Sequence, residues 1–327
     1  MKKVVALALS AVVAGGAFAQ AYPSKPITIV VPFAAGGPTD LVARQLAETM
    51  RKSLGGATIV VENAAGAGGT IGATKVARAA PDGHTLLVWH IGMAATAGLY
   101  RRLQYNPLED FEYLGMINDV PMTLLGSPKL PANTYRDFEN YIRANGGKLN
   151  LAHAGLGSAS HLCGLMWQSA LKLDKSMTTI AYRGTAPAMN DLIGGQVDVM
   201  CDQTTNTTSQ IEAGRVKAFA VTTAKSLSDH KLLKDYPSLQ EMGVKDFNLT
   251  IWHGLYAPKG TPADITKKLN DALLAALKDP EFIQKQAALG AMVVKDSRAT
   301  PAGHKAFVAD QITKLKAVIE AAGQFAD

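Results

Sequence analysis

The chain has 327 residues, 47% of them hydrophobic and 18% charged, and its 33 Lys and Arg against 27 Asp and Glu give a formal net charge of +6. That is enough apolar material for one large core or two medium ones, and the length favours two domains. The positive excess is mild and spread without a Lys/Arg block, which argues against a nucleic-acid partner and mildly for anionic ligands.

The first segment reads as an export signal rather than a fold element. Lys2 and Lys3 precede an apolar run from Val4 to Val13, followed by Gly15, Gly16 and the Ala17-Phe18-Ala19 triplet. This is the pattern of a secretory signal peptide over residues 1–19, cleaved at an Ala-x-Ala-like site. The run is too short for a spanning helix, which needs about 20 apolar residues. The mature protein is therefore expected in the periplasm.

From Pro26 onward, strand-like and helix-like segments alternate, the signature of a parallel sheet with crossover helices. Residues 27–33 are β-branched and nearly continuously apolar, as in a buried strand. A loop at 34–38 leads to a helix over 39–54, with Leu41, Val42, Leu46 and Met50 on one face. A strand at 58–62, a helix at 71–79 and a strand at 86–89 complete a β-α-β-α-β unit. After Tyr105 a second series opens with strands at 113–117 and 122–125, a helix at 135–144, a strand at 149–154, a helix at 160–171 and a strand at 179–182. A helix at 187–193, a strand at 197–201, a helix at 207–213 and a strand at 218–222 close it. The rest is predicted to be mostly helical, with boundaries at Thr261-Pro262, Asp279-Pro280 and Thr300-Pro301. Each pairs a side-chain oxygen at the N-cap with proline at the first helical position, where its missing N–H costs nothing. No flexible linker separates the two series, so the chain is expected to cross between two α/β lobes on strands, which suits a hinge.

Cys163 and Cys201 are the only cysteines, and each lies just beyond a predicted strand end. In an oxidising compartment an even count suggests a disulfide, two buried free thiols being the alternative. A bridge closing a loop of about 40 residues would stabilise by roughly 3 to 4 kcal/mol.

In open α/β sheets ligands bind beyond the carboxyl ends of the strands, so the strand-to-helix loops are the candidate site. Four of them bare backbone amides on Gly, Ser or Thr: the loop from Ala34 through Gly37 to Thr39, the loop from Gly66 to Thr70, the loop from Gly155 through Gly157 and Ser158 to Ser160, and the loop Arg183-Gly184-Thr185-Ala186 before Pro187. A helix start with free N–H groups holds an anion, and glycine lets the backbone approach it. Two such ends, one from each lobe, could support micromolar binding, about 8 kcal/mol; any one alone is equally a helix-packing loop.

The same loops fail as enzyme signatures. Leu156 and Ser158 occupy the positions that Gly-x-Ser-x-Gly reserves for glycine, the third glycine of a dinucleotide fingerprint falls on Ile71, and Gly147-Lys148 is followed by Leu149 rather than Ser or Thr. The seven histidines show no His-x-x-x-His spacing, so neither a metal nor a cofactor is expected. His90 and His161 could donate to a carboxylate or stand as half-buried surface residues. Asp40 reads as a first-turn residue complementing the helix dipole. Asp202 could order cleft waters or a loop amide, or cap the next turn.

An ordered set of strings resembles the extracytoplasmic receptors of tripartite tricarboxylate transporters, the Bug or TctC proteins, over essentially the whole mature chain. It comprises Val31-Pro32-Phe33-Ala34-Ala35-Gly36-Gly37 with Asp40 and Arg44, Val61-Glu62-Asn63 before Gly66-Ala67-Gly68-Gly69 and Gly72, and Pro81-Asp82-Gly83. It continues with Gly157-Ser158 and His161-Leu162, Tyr182-Arg183-Gly184 with Pro187-Ala188, and Trp252 with Gly254, Ala257-Pro258 and Gly260-Thr261-Pro262. The resemblance implies an α/β, type II periplasmic-binding-protein fold closing on its ligand as a hinge, with lobe 1 at 22–121 plus 247–327 and lobe 2 at 122–246. It also implies that one ligand carboxylate is held near Phe33, Ala34, Gly37 and Thr39 and by the loop of His90 and Met93. Gly155, Gly157, Ser158, His161, Arg183, Gly184, Thr185, Ala186 and Asp202 would then meet the variable end.

The chain departs from many relatives at Trp89-His90-Ile91-Gly92-Met93-Ala94, where they carry a Gly/Thr/Ser-rich segment, and at Cys201-Asp202-Gln203-Thr204, where a larger apolar residue often precedes the Asp. An apolar wall there would favour a longer aliphatic or an aromatic dicarboxylate, unless Trp89 and Met93 simply pack in the core. The expected function is non-enzymatic capture of a small carboxylate by a monomer that delivers it to membrane permease subunits. A sensor subunit docking on a membrane kinase uses the same fold and stands as an alternative. A periplasmic α/β enzyme is a third reading, weakened by the absent nucleophile and base.

Overall fold

The computed structural model describes residues 22–173, 176–322 and 325; the expected signal segment, 1–19, lies outside them. The β-branched run Ile27–Val31 forms the buried strand β1, and it pairs in parallel with β2 (Ile59–Asn63) and β3 (Thr85–His90). Between them run α1 (Pro38–Ser53) and α2 (Thr70–Ala77), and α3 (Gly92–Leu99) follows β3. Helix α1 starts where Gly37 ends the extended loop and Pro38 supplies a preset first residue; Val42, Ala43, Leu46, Ala47 and Met50 then bury one helical stripe.

Next comes β4 (Phe111–Gly126), sixteen residues long, where sequence reasoning expected two short strands. Asn118 and Asp119 interrupt its apolar pattern, yet both are satisfied by distant side chains. Asn118 Nδ2 donates to Gln286 Oε1 at 2.6 Å, and Asp119 accepts from Arg298 Nη1 and Nη2 at 3.1 and 2.9 Å. A strand can therefore run through two polar residues that would otherwise break it.

The second series comprises α4 (Tyr135–Asn145), β5 (Asn150–His153), α5 (Ala159–Ala170), β6 (Thr178–Ala181), α6 (Thr185–Gly194), β7 (Val199–Gln203), α7 (Thr204–Glu212) and β8 (Lys217–Val221). Strand β9 (Thr250–Pro258) then returns to the first series, and α8 (Ala263–Lys278), α9 (Pro280–Ala288), β10 (Met292–Val293) and α10 (Pro301–Ala322) complete the chain. Strand β9 was not anticipated, nor was α3.

The strands are ordered β2-β1-β3-β9-β4-β7-β5-β6, with β8 and β10 also pairing β4. Two parallel groups, β2-β1-β3 and β7-β5-β6, are thus joined through antiparallel β9 and β4. The long strand changes partners midway: Pro121 is the last residue opposite β9, facing Thr250, and Met122 is the first opposite β7, facing Gln203. Thr222 ties the junction, its Oγ1 donating to Leu249 O at 2.7 Å and accepting from Met122 N at 2.9 Å.

Of the three expected N-caps, Asp279 accepts from Glu281 N and Phe282 N, and Thr300 Oγ1 accepts from Gly303 N. The third differs: α8 begins one residue later, at Ala263, because Thr261 Oγ1 turns back to donate to Pro258 O at 2.8 Å. Cys163 and Cys201 are bridged, with Cα atoms 6.1 Å apart. They lie within α5 and β7 rather than beyond strand ends, so the bond pins that helix to its strand.

Candidate functional site

The loop after β1 takes its shape from Asp40 and Asn63. Asp40 Oδ2 accepts from Gly36 N at 3.0 Å and from Arg44 Nε at 2.9 Å, its Oδ1 accepts from Asn63 Nδ2 at 2.9 Å, and the same Asn63 amide reaches Phe33 O at 3.0 Å. Burial alone would raise the Asp40 carboxyl, but the bonds from Arg44, Gly36 and Asn63 outweigh it and hold the group below its ordinary range. Asp40 is thus a loop clamp as well as a first-turn acid.

Strand β3 delivers His90 beside this loop, its ring stacked on Phe33 with centroids 4.9 Å apart. His90 Nδ1 accepts from Gly92 N at 2.9 Å. Burial drives the ring pKa down to about 3, so the imidazole is neutral and its single proton sits on Nε2 as a donor.

In the second series Ser158 caps α5, its Oγ accepting from His161 N at 3.2 Å, while Ser160 Oγ accepts from Ala154 N at 2.9 Å. The two hydroxyls lie 3.2 Å apart, so one proton is shared between them and one remains to donate elsewhere. Asp202, fully buried at the end of β7, accepts from Asn206 Nδ2 at 2.6 Å on one oxygen, and burial pushes its carboxyl up to about 7. Thr185 Oγ1 and the backbone N–H of Gln203 stand close enough to the carboxyl to act against that rise, and Gln203 Oε1 is buried without a hydrogen-bond partner among the described residues.

These loops meet face to face. Ala34 N donates to Arg183 O at 3.0 Å, and Tyr100 Oη reaches Ala67 O at 2.8 Å and Leu156 O at 3.2 Å. The approach requires glycine: a Cβ on Gly184 would stand 2.9 Å from Ala34 N, and one on Gly155 would stand 2.9 Å from Gly68 N. Between the loops lies a narrow cleft closed down to about 10 Å³ of free space, room for about one water, and its walls hold no Lys or Arg.

Of the residues predicted from sequence, Phe33, Gly37, Thr39, His90, Ser158 and Thr185 line this cavity. Ala34, Gly184 and Ala186 form the contact between loops, and Arg183 joins it through its carbonyl while the residue itself is exposed. Gly155 abuts Gly68, and Gly157 abuts Leu99 and Thr96. His161 lines a neighbouring cavity together with His153, their ring centroids 5.0 Å apart. Asp202 stands off the wall, and Met93 and Trp89 are wholly buried in the core, also off the wall. Pro38, Ala154, Ala159, Ser160 and Gln203 also line it; all but Ala154, which ends a predicted strand, lie in site segments the sequence reading named, though none was picked out as a ligand contact. Ser160 and Gln203 carried a usable signal, since each is a polar residue at a strand-to-helix junction already singled out.

The family model for the tripartite tricarboxylate transporter family receptor, TctC, matches residues 42–324. The chain belongs to this family. An Agrobacterium vitis protein encoded in the TAR-I ttuE-ttuC' intergenic region is 47% identical to this TctC receptor over 93% of the chain and 86% of its own length. The structure of the periplasmic binding protein BugD superposes with a TM-score of 0.89 at 49% identity, covering 94% of the receptor and all of BugD. MatC from Rhodopseudomonas palustris, solved with bound malate, superposes with a TM-score of 0.85 at 38% identity, covering 91% of the receptor and all of MatC. The receptor is accordingly a periplasmic solute-binding protein of the two-lobed α/β fold, and its family and neighbours are binding proteins rather than enzymes.

Proposed function

We propose that this receptor captures a small carboxylate in the cavity between the loops of its two series, as a monomer, and hands it to the membrane permease subunits of a tripartite transporter. The observation that carries the reading is a cavity enclosed from both sides and lined by neutral donors: His90 Nε2–H, one serine hydroxyl and the start of α1. A carboxylate can be held by such donors without a cationic side chain, because each hydrogen bond to the charged group is worth about twice a neutral one. Malate in MatC supports the same class of ligand.

In this reading Phe33, Gly37, Thr39, His90, Ser158 and Thr185 contact the ligand, and Gly155, Gly157, Arg183, Gly184 and Ala186 close the loops over it. Lobe 1 is 22–121 plus 247–327 and lobe 2 is 122–246, bounds supported by the change of strand partner after Pro121. Because Trp89 and Met93 stand back from the wall, the case for a long or aromatic ligand weakens, and with about 10 Å³ of free space between them the loops must part to admit any carboxylate. A thermal-shift screen of mono-, di- and tricarboxylates tests this. A ligand at 100 times its Kd should add about 2.7 kcal/mol of stability; stabilisation by sugars or cations and by no carboxylate would sink the reading.

A further inference from the structure

Behind the cavity wall a chain of buried polar side chains leads away from Thr39. Thr39 Oγ1 lies 3.3 Å from His253 Nε2, His253 Nδ1 lies 2.8 Å from Asn118 Oδ1, Asn118 Nδ2 donates to Gln286 Oε1 at 2.6 Å, and Gln286 Nε2 donates to Gln45 Oε1 at 2.6 Å. Thr39, His253, Asn118 and Gln286 are each at most 2% exposed, so water does not scramble the chain.

Its direction follows from the orientation of the Asn118 amide. In this structure the amide nitrogen donates to Gln286 and the oxygen faces His253, and an amide oxygen only accepts. His253 therefore carries its proton on Nδ1. Burial, with His90 nearby, holds this ring neutral, so Nε2 is an acceptor and takes the Thr39 hydroxyl proton. A threonine hydroxyl has one proton, and once that proton points inward only lone pairs remain for the cavity. The adjacent His90 has the opposite tautomer and presents a donor. One wall thus offers a donor and an acceptor side by side.

We propose that His253 and Asn118 act as positioning residues that fix Thr39 as an acceptor, so that the receptor prefers a carboxylate bearing a neighbouring hydroxyl over the same acid without it. The proposal rests on the carboxylate-capture reading above. An unsubstituted acid leaves the Thr39 oxygen unpaired in a closed cavity, and an unpaired buried acceptor weakens binding.

Two measurements test it. Long-range nitrogen–proton NMR of the labelled full chain reads the tautomers directly: His253 should carry its proton on Nδ1 and His90 on Nε2. Calorimetry with matched pairs (propionate and lactate, succinate and malate, glutarate and 2-hydroxyglutarate) should show the hydroxy acid binding several-fold to about tenfold tighter, the range of one neutral hydrogen bond. Thr39→Val should collapse that ratio towards one, and Thr39→Ser should restore it. A His253 proton on Nε2, or a ratio unchanged in Thr39→Val, overturns the assignment. If no acid in the panel bound, the capture reading itself would fall and the preference with it, whatever tautomer the spectrum reported.

Discussion

The backbone N–H of Ala34 donates to the carbonyl of Arg183 at 3.0 Å, so residues about 150 positions apart in the chain close one mouth through main-chain atoms alone. Side-chain substitution cannot remove that bond directly, but neighbouring glycines decide whether it can form.

Gly184→Ala should therefore act on closure. The glycine has φ 153 and ψ 166, a region almost confined to glycine, and its Cβ would press on Ala34 N. Small-angle scattering should show the wild type compacting with ligand and the variant failing to compact, with affinity reduced by about tenfold or more, ~1.4 kcal/mol. Compaction equal to wild type would remove Gly184 from the closing surface.

Ser158→Ala should weaken ligand binding and also destabilise the fold by about 1 kcal/mol, because the side chain caps α5. Ser158→Gly keeps most of the cap's value, at a cost of only a few tenths of a kcal/mol. Calorimetry on the glycine variant thus separates the two roles: affinity equal to wild type would leave Ser158 as a cap alone.

Thiol titration of denatured, unreduced protein should find no free thiol. Replacing both cysteines with serine should lower stability to chemical denaturation by about 4 kcal/mol, the chain-entropy value for a 38-residue separation. A titre of two thiols would exclude the bridge.

Asp202 ties stability to pH with a definite sign. Its folded pKa, about 7, lies above the ordinary 3.8, so between these values the folded state binds more protons than the unfolded state. Its contribution is fully present below about pH 4 and is lost as pH rises towards 7. The buried neutral rings of His90 and His304 act in the opposite direction, gaining stability as pH rises from about 3 to 6.5. A difference measurement isolates the aspartate: Asp202→Asn should gain on wild type steadily between pH 4 and 7 and then level off. A difference that is flat across that range would place the Asp202 pKa near its ordinary value.

The parts of this architecture legible in sequence are those with local causes. The β-branched run of β1, the proline at the start of α1, and the caps at Asp279 and Thr300 each state their structure within a few residues. Strand β4 was hidden because the groups that satisfy Asn118 and Asp119 come from residues more than 130 positions away, His253, Gln286 and Arg298. The site divides in the same way. Its glycine loops announce themselves by composition, whereas the clamp at Asp40 and the backing of Thr39 by His253 depend on which strands become neighbours. For Trp89 and Met93 the sequence left pocket wall and core open, and the structure takes the core alternative, since side-chain size near a loop does not say which face of the sheet it serves.

Strand order has one more consequence, for timing. Strand β9 lies between β3 and β4 in the finished sheet, so the first series of strands cannot join the rest until residues 250–258 have been made. Contacts of such long sequence separation form slowly. Until those residues are made, the group β2-β1-β3 can pair within itself but lacks the strand that links it to β4.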